Sequence, residues 1–125
     1  DLELIKFLIS QGAEIMAKDP DGDTCFSEAC LIGHHEIVLF FLEMKIILDN
    51  INIQNNRFRT PLHKAAFNGH CQTIMMLLEN GADPRITDVC LCTALDYAAS
   101  SNSQKFLSMW DIEITKAYWT CREET

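Results

Sequence analysis

His63, Asp96 and six cysteines are the first groups to test for chemistry in this 125-residue chain. A histidine, a carboxylate and a thiol can run nucleophilic catalysis if each lies within hydrogen-bond reach of the next. Asp96 stands 33 residues after His63, at the same place in a repeated pattern: Thr60-Pro61-Leu62-His63 against Thr93-Ala94-Leu95-Asp96. Residues so related sit on neighbouring packed helices about 10 Å apart, too far for a triad. Cys90-x-Cys92 could be a metal or redox pair, but two thiols leave a tetrahedral site half empty. No C-x-x-C pair occurs, nor a histidine pair at zinc-finger spacing. Asp19, Asp21 and Asp23 mimic the opening of a calcium loop, yet loop position 12 is Cys30 and not Glu, so a solvated turn is expected. His34 and His70 each follow a Gly, and a residue used twice reads as scaffold. No phosphate loop, dinucleotide fingerprint or G-x-S-x-G elbow is present. The expectation is therefore no catalytic residue, no cofactor and no metal.

The elements that carry these residues are helical. Leu4, Ile5, Leu8 and Ile9 form a stripe at helical spacing, closed by Gly12-Ala13. Val38, Phe41 and Leu42 form another, and Ile74, Leu77 and Leu78 a third. Thr60 before Pro61 suits a helix start: Thr caps free amides and Pro tolerates the first position. Asp21-Gly22 marks a tight tip. Cys25, Cys30 and Cys71 fall among apolar residues and read as buried thiols. The run Ile37–Leu42 is far short of the roughly 20 residues a membrane span needs. The net charge of −8 argues against direct nucleic-acid binding, because phosphate would be repelled. The cysteines, with no basic secretory leader ahead of them, read as reduced thiols in an intracellular, cytoplasmic protein.

The segment Thr60-Pro61-Leu62-His63-Lys64-Ala65-Ala66, then Gly69-His70 and Leu77-Leu78-Glu79-Asn80-Gly81-Ala82-Asp83, resembles one unit of the ankyrin-repeat family, whose signature is T-P-L-H-x-A. The resemblance covers residues 1–110. It implies an all-α solenoid of stacked helix-turn-helix units with short hairpin loops. The expected units are a partial repeat over 1–18, repeats over 19–54 and 55–87, and a degenerate terminal repeat over 88–110. Residues 111–125 are expected to form a capping helix or the start of a following segment. Ile114, Tyr118 and Cys121 would make its apolar face. Thr24 precedes Thr60 by 36 residues, three more than the family period. Those extra residues fall near Lys45–Leu48 and predict a helix longer by one turn, or a bulged loop. The leading helix lacks its partner, which reads as a fragment of a larger protein; the alternative is an end near Asp1 capped by another element. The resemblance also implies that His63 is structural, bonding to loop backbone of the next repeat.

Ankyrin-like stacks bind proteins on the concave side, made by hairpin tips and the first-helix row. In register the tips are Pro20-Asp21, Asn56-Arg57 and Val89-Cys90. The tip Gly survives as Gly22 but is replaced by Phe58 and Leu91, and bulky residues resist positive φ, so distorted hairpins are expected. The partner-binding candidates are Arg57, Phe58, Arg59, Lys64, Phe67, Asn68, Leu91 and Tyr97. Phe58 and Leu91 could equally pack on adjacent loops. The expected function is non-catalytic binding of a protein partner, with no nucleic acid and no membrane. The alternatives are a structural spacer or cap, and an enzyme whose catalytic domain lies elsewhere in the polypeptide.

Overall fold

A computed structural model describes residues 2–100, with side chains through Tyr97. Among the described residues there are seven α-helices and no strand: α1 (Leu2–Ser10), α2 (Cys25–Ile32), α3 (His35–Leu42), α4 (Lys45–Asp49), α5 (Pro61–Phe67), α6 (Cys71–Glu79) and α7 (Ala94–Ser100). The helices alternate between two rows. In one row α2 packs on α5 and α5 on α7; in the other α3 packs on α6. This is the stacked arrangement of helix pairs that the resemblance implies.

Local chemistry sets each helix boundary. Thr24 and Thr60 cap α2 and α5, their hydroxyls accepting the amides of Ser27 and His63 at 3.3 Å. Pro61 follows the second cap, where its missing N–H costs nothing. Gly33 ends α2 at φ +75°, and its amide returns to the Ala29 carbonyl. That left-handed turn sends α3 back beside α2.

The seams between units are dry. Val38, Ile74, Leu77, Ala65 and Ala66 are fully buried, as are Phe26 and Phe41, which meet edge to face at 5.9 Å. Ala65 and Ala66 let α5 approach its neighbours closely. Burying such a side chain contributes about 1.5–3 kcal/mol for the larger ones. The apolar stripe of α1 behaves differently. None of its residues is buried, and Leu4, Phe7 and Leu8 are about half exposed.

Two local expectations are corrected. The extra residues near Lys45 neither lengthen α3 nor bulge a loop. Helix α3 stops at Leu42, Met44 turns extended (φ −93°, ψ 129°), and α4 starts as a separate short helix anchored by buried Ile47. Burying Ile47 while Ile46 and Leu48 stay partly in solvent explains why the insertion folds instead of looping out. Of the three thiols read as buried, Cys30 is, Cys71 is half-buried and Cys25 is exposed. Cys25 is the first residue of α2 and points its thiol at the Ile15 carbonyl. The expected capping helix over 111–125 lies outside the described residues.

Candidate functional site

Three hairpins precede the first-row helices, and one side chain organises each. An Asp or Asn stands five residues before each capping Thr: Asp19, Asn55 and Asp88. Its Oδ1 accepts two amides of its own turn. These are Asp21 and Asp23, Arg57 and Arg59, and Cys90 and Cys92, all at 2.9–3.0 Å. Such side chains mimic a backbone turn. Consecutive hairpins are joined by one main-chain bond each, Asn56 N–H to Asp21 and Val89 N–H to Arg57.

This construction overturns the expected distortion. Phe58 and Leu91 adopt φ +61° and +62°, the conformation that Gly22 takes at +83°. The two amide bonds to the Asx side chain, with the amide of Phe58 or Leu91 closing onto Asn55 or Asp88, hold the bulky residue in the left-handed region. The tip keeps its shape, and the side chain is pushed outward. Phe58 is 53% exposed and Leu91 79%, with Val89 at 57% beside them. Arg57 is exposed at the tip between them, and its guanidinium makes no hydrogen bond or ion pair among the described residues.

The other candidates are engaged within the protein. Lys64 Nζ sits 3.0 Å from Asp23 Oδ2, and the other oxygen of that carboxylate, Oδ1, accepts from Asn55 Nδ2 at 2.9 Å. Arg59 Nε donates to Asp88 Oδ2 at 3.2 Å and its terminal nitrogen to the Tyr97 hydroxyl. The Arg59 guanidinium also lies 5.5 Å from the rings of Phe67 and Tyr97, within cation–π range. Tyr97 donates to Asp88, and its ring packs on Phe67. Asn68 donates to the Leu31 carbonyl of the preceding unit. Thus Arg59, Phe67 and Tyr97 come together around Asp88, Arg57, Phe58 and Leu91 project from the tips, and Lys64 and Asn68 tie units together.

Asp88 is the electrostatic centre. Burial alone would raise its carboxyl, but Tyr97, the amide of Cys92, Arg59 and the amide of Cys90 together hold it down to about 2. Its side chain is fully enclosed. Sequence reasoning passes over Asp88 and names Val89 only as part of a hairpin tip, not as a contact residue. The available signal was the threefold recurrence of an Asx residue at one distance from each capping Thr.

His63 does scaffold work. Its Nδ1 accepts the Thr60 amide at 3.1 Å, so Nε2 carries the proton and donates to the Cys92 carbonyl at 3.0 Å. Burial pushes its pKa below the ordinary value, outweighing the Cys92 carbonyl and Asp88. Asp96 repeats the local part of this role by accepting the Thr93 amide. His70 reaches back to the Leu31 carbonyl at 2.9 Å, whereas His34 caps α3 through Nδ1. Asp19, Asp23 and Glu28 bring one carboxylate oxygen each within 4.8 Å of the others, but Asp23 is already bound to Lys64 and Asn55.

A family model described as ankyrin repeats (3 copies) matches residues 1–88 and 50–115. Among curated proteins, the chain is 30% identical over 107 residues to BCL-6 corepressor-like protein 1 of Homo sapiens, covering 85% of this chain and 6% of that protein. It is 30% identical over 91 residues to palmitoyltransferase Hip14 of Drosophila melanogaster, covering 73% of this chain and 14% of that one. E3 ubiquitin-protein ligase XBAT33 of Arabidopsis thaliana matches at 32% over 79 residues, 14% of its length. The chain thus spans a seventh or less of each of these relatives.

Proposed function

Because the chain belongs to the ankyrin-repeat family, whose repeats in general are non-catalytic protein-interaction modules, we propose that it docks a protein partner on the concave side formed by its hairpin tips and first-row helices. The observation that supports this is the row Phe58, Val89 and Leu91. Three large apolar groups are held out in solvent by turns built to hold them, beside an uncommitted Arg57. Binding hot spots favour aromatic residues and Arg in such settings. Arg59, Phe67 and Tyr97 would extend the contact as one stacked cluster, with Lys64 and Asn68 at its edge. A rigid turn loses little entropy on docking.

The thiols of Cys25, Cys30, Cys71, Cys90 and Cys92 are free, which suits a reducing intracellular, cytoplasmic setting. No helix among the described residues is long and apolar enough to cross a membrane. The acidic balance disfavours nucleic acid as the partner. A second reading, a spacer or cap within a larger protein, draws on the internal pairing of Lys64, Arg59 and Asn68, which spends those groups on stacking.

The double variant Arg57→Ala with Phe58→Gly separates the two. Glycine accepts the positive φ, so the hairpin survives. Partners captured by the unaltered chain should bind at least about 30-fold more weakly, as loss of a hot spot of 2 kcal/mol or more implies. Retention of every partner at unchanged affinity overturns the proposed surface.

A further inference from the structure

The two junctions between consecutive hairpin tips share a backbone design and differ in chemistry. Asn56, Arg57 and Lys64 at the first junction correspond in register to Val89, Cys90 and Tyr97 at the second. The second is faced by apolar groups, with Val89 and Leu91 exposed. The first holds a polar pocket of about 210 Å³, whose charged walls are Asp21, Asp23, Arg57, Arg59 and Lys64.

Three of these five groups are cations, in a chain whose net charge is −8. Lys64 and Arg59 are paired, and each pair turns its positive end outward. The Lys64 side chain is 14% exposed against 5% for Asp23, and that of Arg59 18% against 0% for Asp88. The two inner carboxylates are filled from behind. Asp23 takes Lys64 on one oxygen and Asn55 on the other, while Asp88 takes Arg59 and Tyr97 on Oδ2 and two amides on Oδ1.

Donors are therefore left over. An ammonium carries three N–H groups, and Lys64 spends one on Asp23. Arg59 spends Nε on Asp88 and one terminal nitrogen on Tyr97, so its other terminal nitrogen has no partner among the described residues. Arg57, exposed at the rim, keeps its whole guanidinium fork. Against these stands Asp21, exposed at the first tip, its carboxylate making no side-chain contact among the described residues.

We propose that this pocket takes a carboxylate of the docked segment, an Asp or Glu side chain gripped by Arg57 with Lys64 and Arg59 behind it; this rests on the docking surface proposed above and adds the chemistry of what docks. The guanidinium fork matches a carboxylate with two parallel hydrogen bonds. The second junction selects an apolar side chain beside it, because Val89 and Leu91 stand in solvent there. Packed neighbours lie about 10 Å apart, and an extended chain rises about 3.4 Å per residue. The acidic and the apolar side chain are thus about three residues apart in the partner.

The test is a selection of random phage-displayed peptides on the 125-residue chain. Enriched peptides are synthesised with both ends blocked and titrated by fluorescence anisotropy. Peptides seated on the tips are those weakened by Phe58→Gly, and they should share an acidic and a large apolar residue at the stated spacing. Replacing the peptide's carboxylate by its amide, or Arg57→Ala in the chain, should each weaken binding about fivefold, and the two together little more. Arg57→Glu should weaken it at least about tenfold, as facing like charges do, and Lys in place of the peptide's acid should restore it. Asp21→Asn should tighten the acidic peptides. Tip-seated peptides that lack an acid or ignore Arg57→Glu overturn the carboxylate pocket and leave the docking surface standing. Basic peptides lost with Asp21→Asn overturn it likewise. No enrichment, or binding indifferent to Phe58→Gly, overturns the docking surface and the pocket with it.

Discussion

Replacing Asp88 by Asn separates two jobs that one carboxylate performs. Oδ1 holds the hairpin through the amides of Cys90 and Cys92. Asn can do this, because Asn55 already accepts the amides of Arg57 and Arg59 at 2.9 Å in the preceding unit. Oδ2 faces the Arg59 guanidinium and the Tyr97 hydroxyl, and there an amide nitrogen would meet donors. The side chains of Arg59 and Asp88 are 18% and 0% exposed, so water cannot fully replace the lost charge. Removing one partner of a buried pair costs about 3–5 kcal/mol. Arg59 keeps its stacking on Phe67 and Tyr97 and some solvent, so the cost falls to the bottom of that range or just below it, about 2–3 kcal/mol. With a urea slope of about 1–3 kcal/mol/M, the unfolding midpoint should fall by about 1–2 M at pH 7. Far-UV circular dichroism in urea measures this, and the cycle with Arg59→Met should show that the two substitutions are not additive. A midpoint within about 0.3 M of the parent, on the same slope, would refute the claim that this pair fastens the last described interface.

Acid should lower the stability of the protein in two stages. Burial lowers the pKa of His63 from 6.5, so its contribution is whole above pH 6.5 and declines as pH falls below it; Asp88, lowered from 3.8 to about 2, contributes fully above pH 3.8 and is lost towards pH 2. Urea midpoints across pH 7 to 2 check both, and His63→Asn should flatten the first decline alone. Gly33→Ala should cost about 1–3 kcal/mol, as overpacking does: a Cβ there would lie 2.4 Å from the His70 ring, on a backbone at φ +75°. Adding His70→Ala should recover part of that loss in the same urea assay. At position 91, Gly should be more stable than Ala by about 1 kcal/mol, because φ is +62° and both variants lose the same exposed side chain. Equal stability would mean that the turn relaxes. Ile74→Ala, at a fully buried seam position, should cost about 2–5 kcal/mol by thermal or urea melting.

The stack was readable in the sequence because its determinants are local and recur. Thr60-Pro61 caps, Gly33 turns, and stripes such as Val38/Phe41/Leu42 each point to one helix and one buried face. The fate of Lys45–Leu48 was not readable. Whether three added residues extend a helix, loop out or fold separately depends on whether Ile47 finds a pocket, which is a tertiary fact. The hairpins misled for a related reason. A preference against positive φ at Phe58 and Leu91 is worth about 1–2 kcal/mol, and two side-chain-to-amide bonds from Asn55 or Asp88 outweigh it. Arg59, Lys64 and Tyr97 could be chosen as surface groups from register. That Arg59 and Lys64 face carboxylates one unit away emerges only when position, and not residue type, is compared across units.

The alternation of charge at that position constrains how such an array can change. Were recombination to excise residues 55–87, Asp23 would be set against Asp88, acid upon acid, in a nearly dry joint. Duplicating the same segment would set Arg59 against Lys64. Either event removes or repeats a unit whole, leaving the remaining helices and their caps unaltered, and still leaves neighbours that repel, so the linear order of the units is written into the molecule as a lock with one key.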